Sequence, residues 1–204
     1  MKIHSKIFGI DLKFTYPILA ATTIGILLDT SHYIEICMLS ALLHELGHLC
    51  AMLICKSKPN CIEIGLFAIN ISDTNRGKRK FIAEIFIIYA GIIVNILTFI
   101  IFYCIYKSTN LEILLKISMS SLVIGIFNLL PVATLDGGQG LCLILLRRIS
   151  YHQAEIVINI LTVLMLIPFT VCGIIVLFYS KNNFSLLAIS LYLIISLIVR
   201  KELI

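Results

Sequence analysis

The eleven residues Ser40–Cys50, SALLHELGHLC, decide how this chain is read. They set His44, Glu45 and His48 in the middle of an apolar run from Ile36 to Cys55. In a helix of 3.6 residues per turn, His44 and His48 stack on one face, about 6 Å apart along the axis. Two imidazoles at that spacing suit one Zn²⁺, and the glutamate beside the first can act on a water held there. The run is long enough to cross a bilayer, where ionisable groups are costly and mark function by default.

Working outward, composition places that run in a membrane protein. Of 204 residues, 60% are hydrophobic and only 13% charged, with a mean hydropathy of +1.06. A soluble domain carries about 25% charged residues and could not cover so much apolar surface. The expected architecture is an all-α polytopic membrane protein, one domain over 1–204. The net charge of +5 does not point to nucleic acid, because the basic residues sit in short polar segments between apolar runs. Met1–Lys13 is polar and mixed, and no small-residue cleavage site follows, so no cleavable signal peptide is expected. Seven cysteines form no CxxC pair and read as packing residues.

Six transmembrane spans are expected, at about 16–33, 36–55, 81–106, 111–131, 156–179 and 184–199. Thirteen of the 16 Lys and Arg fall at one set of alternate ends, leaving only Lys107, Lys116 and Lys181 at the other. That bias puts both termini and the 56–80 segment in the cytosol. It also sets the histidine pair inside the membrane, about 12–18 Å from the cytosolic end of its helix.

Between the second and third spans, Ile62, Ile64 and Leu66, then Ile69 and Ile71, alternate within 61–72. The stretch is too short to span and reads as an interfacial strand or hairpin, either a flap or an edge that pairs with an unwound peptide. Asn75–Lys80, NRGKRK, reads as a positive-inside anchor. The third span carries Gly91 and Asn95 on one helix face, a pairing that suits interhelical contact. The fourth ends at Asn128-Leu-Leu-Pro131, and Pro131 with Gly137-Gly138 breaks the helix just where Asp136 stands. Unwound backbone at membrane depth survives only against protein or a water-filled cavity. A catalytic zinc takes three protein ligands and leaves one position open, so Asp136 is the expected third ligand after His44 and His48, with Glu45 as general base. Leu141–Leu146 reads as a short apolar turn, His152 as interfacial, and Pro168 as a kink in the fifth span.

With these residues in place, HELGH followed by Asn128-x-x-Pro131-x-x-x-x-Asp136-Gly137 resembles the site-2 protease family of M50-type intramembrane zinc metalloproteases. FNLLPVATLDGG, AGIIVN and the short amino-terminal stretch are similar to its stage IV sporulation protein FB branch. The resemblance covers roughly residues 5–200. It implies a six-helix core, one Zn²⁺ per chain held by His44, His48 and Asp136, Glu45 as base, and Asn128, with Asn95, ordering the site or the substrate. The implied substrate is a membrane-anchored protein, cleaved in or near its membrane segment in the plane of the lipid bilayer. Inhibitory membrane partners and a bacterial or forespore-surrounding membrane also follow from that branch.

There are departures. Ile92 stands where the family's A-G-P motif has proline, no PDZ-like insertion separates any pair of spans, and no nucleotide-binding CBS domain is expected after the last helix, so neither nucleotide nor nucleic acid is an expected partner. A second class of membrane protease, with a downstream E-x-x-x-D ligand, does not fit, since Glu84 is followed at that spacing by Ile88 and Glu155 by Asn159. The non-enzymatic alternative is a zinc carrier or a silent chaperone of membrane segments, but a carrier would spread polar residues along several helices.

Overall fold

The computed structural model describes residues 2–7, 10–15, 29, 32–57, 59, 61–64, 69–72, 79–180, 191 and 193–194. They divide into two units, Met1–Ile126 and Phe127–Ile204. The expected spans at 16–33 and 184–199 lie almost wholly outside the described residues.

Four described helices are long and apolar enough to cross a membrane. These are α1 (Tyr33–Ile54), α2 (Phe81–Thr109), α3 (Glu112–Leu129) and, after the short α4 (Asp136–Leu145), α5 (Tyr151–Ser180). Their surfaces are inverted relative to a soluble protein. Leu42, Leu46, Leu53, Ile93, Leu97 and Ile101 are exposed, while Ser40, His44, Asn95, Ser118, Ser121 and Thr162 are buried. Hydrocarbon solvates the first set, and the second must find partners inside the protein. The chain is an integral membrane protein.

In the first unit, helix ends follow local chemistry. Asp29 Oδ2 accepts the Ile34 N–H at 2.6 Å and satisfies one of the free amides at the start of α1. At the other end Lys56 adopts φ 54°, and the Lys56 and Ser57 amides reach Leu53 O at 3.0 Å and Met52 O at 2.8 Å. That is a Schellman ending with lysine in the left-handed position. Asn110, φ 56°, closes α2 with the simpler left-handed ending, its amide donating to Tyr106 O at 2.8 Å. At the start of α2, Glu84 is buried and Arg79 Nε donates to its Oε1 at 3.1 Å. One cation of the basic NRGKRK turn is therefore committed to an ion pair rather than to lipid.

The hairpin expected at 61–72 is present as β3 (Cys61–Ile64) and β4 (Ile69–Ser72), with Ile62 opposite Ile71 and Ile64 opposite Ile69. It belongs to a larger sheet. β1 (Lys2–Ile7) and β2 (Ile10–Thr15) form a second antiparallel hairpin, and β2 runs parallel to β3, giving the order β1-β2-β3-β4. The amino-terminal segment is thus structured rather than simply polar. Its period-two pattern, Ile10, Leu12 and Phe14 against Asp11, Lys13 and Thr15, is the signal for it.

The second unit begins in the last turn of α3, which stops at Leu129 ahead of Pro131. The non-helical stretch that follows is buried at Val132 and Ala133, and the Ala133 N–H donates to Thr162 Oγ1 on α5 at 2.9 Å. Val132 packs with Leu166 and Leu193 in the core of this unit. Where a short turn is expected near 141–146, the chain forms α4, and it starts at Asp136 itself. Gly137 and Gly138 act as first-turn residues rather than breakers. A Cβ on either would collide with backbone of the preceding turn, at Leu129 O and Val132 O. α5 also starts before residue 156, the expected beginning of the fifth span. Ser150 and Gln153 form a capping box, each side chain bonding the other's backbone amide at 3.4 and 3.2 Å.

Because the buried Ala133 amide donates to Thr162 Oγ1, Thr162→Val, similar in shape, removes that acceptor. The expected loss is about 1–3 kcal/mol of stability, read as a lower unfolding midpoint in detergent.

Candidate metal centre

Helices α1 and α2 cross where each carries glycine. A Cβ on Gly47 would lie 2.9 Å from Ala90 O and 3.0 Å from the Gly91 Cα, so the backbones are in direct contact there. Small residues permit such approach between membrane helices. The crossing falls inside HELGH and lays three α2 positions one turn apart, Ile87, Gly91 and Asn95, against His48 and His44.

Each contact has a distinct chemical role. His48 Nδ1 lies 2.8 Å from Ile87 O, so its hydrogen sits on Nδ1 and Nε2 presents a lone pair. His44 Nδ1 lies 3.2 Å from the Asn95 amide, a contact buried from solvent. The two Nε2 atoms face each other at 3.2 Å with the rings edge to face, 83° apart. Two nitrogens bound to one tetrahedral zinc at about 2.0–2.1 Å lie about 3.3 Å apart. The pair therefore fits a zinc bite. Room for the ion comes from Gly91, because a Cβ there would meet His48 Nε2 at 2.5 Å and His44 Nε2 at 2.8 Å.

Of the residues marked by sequence, the first unit brings together His44, His48 and Asn95, with Glu45 half-buried beside His44 on the same helix. Asp136 and Asn128 belong to the second unit: Asp136 is the first residue of α4, half-buried, and Asn128 lies in the last turn of α3. A carboxylate in the first turn of a helix is favoured by the local dipole. Gly47 and Gly91 are the functional positions that sequence reasoning undervalued. Gly91 reads from sequence as an interhelical contact, and the spacing gives no hint that it also faces both imidazoles.

The family model for peptidase family M50 matches residues 106–169. That stretch contains Asn128 and Asp136 but not HELGH. No curated protein matches the chain. Among solved structures, the site-2 protease from Methanocaldococcus jannaschii has the same fold, with a TM-score of 0.69 and 21% identity over 95% of this chain and 92% of that one.

Gly91→Ala is expected to abolish stoichiometric zinc in protein purified without chelator, measured by elemental analysis. Gly125→Ala is the control. Its Cβ would meet Asn95 Cβ at 3.3 Å and no ring nitrogen, so it should keep the metal at a stability cost of no more than about 1–3 kcal/mol.

Proposed function

From a chain of site-2 protease type in its motifs, its M50 family match and its fold, we propose an intramembrane zinc endopeptidase that cleaves a membrane-anchored protein substrate. The observation that carries this reading is the zinc-compatible bite of His44 and His48, 3.2 Å between Nε2 atoms, within a helix bordered by exposed apolar side chains. In this reading Asp136 would join His44 and His48 as the third of the protein ligands that a catalytic zinc takes. Zinc, when bound, supplies Lewis acidity and lowers the pKa of water towards about 7.

The chain's own residues supply the rest. Glu45 takes a proton from the attacking water and delivers it to the leaving amine. Asn128, close to Asp136 in the sequence, orders the site or the substrate. Among the described strands β1 and β4 lie at the edges of the sheet, and an unwound substrate segment would pair there as an added strand. The cytosolic bias of basic residues puts the site towards the inner leaflet.

Two substitutions separate chemistry from binding. Glu45→Gln should lower cleavage about 10²–10⁴-fold while keeping zinc. Asp136→Asn should lose the metal as well. Comparative proteomics of cells carrying wild type or Glu45→Gln should reveal a membrane-anchored precursor that accumulates in the variant. A Glu45→Gln protein with undiminished turnover would remove Glu45 from the mechanism, and zinc flux through proteoliposomes would favour a carrier instead.

A further inference from the structure

The side chains around His44 define a chain of hydrogens. As placed, Asn95 Nδ2 donates to His44 Nδ1, which leaves the hydrogen of a neutral His44 ring on Nε2, directed at His48 Nε2. His48 in turn donates from Nδ1 to Ile87 O. This arrangement is self-consistent, but it occupies the lone pair with which His44 would bind an ion. His48 has no such conflict, because a backbone carbonyl accepts only from Nδ1–H and fixes the ligating tautomer.

Asn95 has a second state available. Its amide oxygen and nitrogen are nearly identical in shape, so the group can turn over in its buried site without new space. Its amide nitrogen meets His44, and Asn95 Oδ1 is buried with no hydrogen-bond partner among the described residues. Among the described residues either orientation leaves one amide atom without a partner, so the tautomer of His44 makes the choice. Resting on the zinc-peptidase reading, we propose that Asn95 is a positioning residue whose carboxamide turns over when the pair takes a metal ion. Oδ1 then accepts from His44 Nδ1–H and frees Nε2 for the ion. A group that accepts from the far nitrogen of a ligating histidine orients the ring and raises its basicity, and losing one typically costs 10–100-fold in metal affinity.

The test is zinc affinity of the full-length protein in detergent, by competition with a chromophoric chelator, read beside the unfolding midpoint of the zinc-stripped protein. Asn95→Leu, close in size but without an acceptor, should bind zinc about 10–100-fold more weakly with little change in midpoint. Asn95→Asp, which keeps an oxygen but no amide hydrogens, should bind at least as tightly as wild type. Its Co²⁺ form should keep the wild-type visible absorption bands. The proposal is overturned if the leucine variant binds zinc like wild type, or if a folded aspartate variant loses affinity tenfold. The second result holds even should the leucine variant fail to fold. If the wild type itself takes up no zinc, the peptidase reading falls with the proposal; if wild type binds and only the variant series misbehaves, the role of Asn95 alone is lost.

Discussion

The contact on which the site depends is between two stretches of bare backbone. Gly47 and Gly91 let α1 and α2 touch, and the Gly47 Cβ position would already lie within 3.0 Å of the Gly91 Cα. In hydrocarbon there is no hydrophobic force between helices, so van der Waals packing and interhelical hydrogen bonds must hold the pair. This crossing provides both. It brings Ile87 O to His48 and the Asn95 amide to His44, so the contacts that join the helices also orient the rings. Packing and chemistry are the same interaction here, and a methyl group at Gly91 would damage both.

Around that crossing the buried polar groups are organised rather than scattered. Ser121 donates to Ser40 Oγ at 3.1 Å, one turn from His44 on α1, and Gly125 sets α3 close to Asn95 on α2. In the second unit the same rule holds for backbone, where Thr162 supplies the partner of the Ala133 amide at 2.9 Å, beside the helix break that precedes Asp136. Asn95 Oδ1, buried and without a hydrogen-bond partner among the described residues, belongs to the side chain that touches His44.

Much of this was legible in the sequence. The inverted composition, the four described membrane helices, the 61–72 hairpin, the stop before Pro131 and the i, i+4 histidine pair all follow from periodicity, residue cost in lipid and turn chemistry. What stayed hidden has physical causes. The β1–β2 hairpin was masked by charged residues that make a short segment look unstructured, although alternation was present. α4 was hidden by glycines that usually break helices; here they are needed because the first turn folds tightly on its own preceding backbone. The early start of α5 lay in the Ser150–Gln153 capping box. Gly91 could not be assigned a role without the partner helix, since a small residue at an interface and one that clears space for an ion leave the same mark in a sequence.

The parallel pairing of β2 with β3 has a consequence for how the protein is made. Asp11 aligns with Cys61, and all of α1 lies between those strands in the chain. At translation rates of about 5–20 residues per second, β2 waits several seconds for its neighbour to leave the ribosome. Throughout that interval its edge is open to wrong partners. The sheet closes only after the helix that carries His44 and His48 has been synthesised and the chain has returned, so strand closure reports that this helix is already in place.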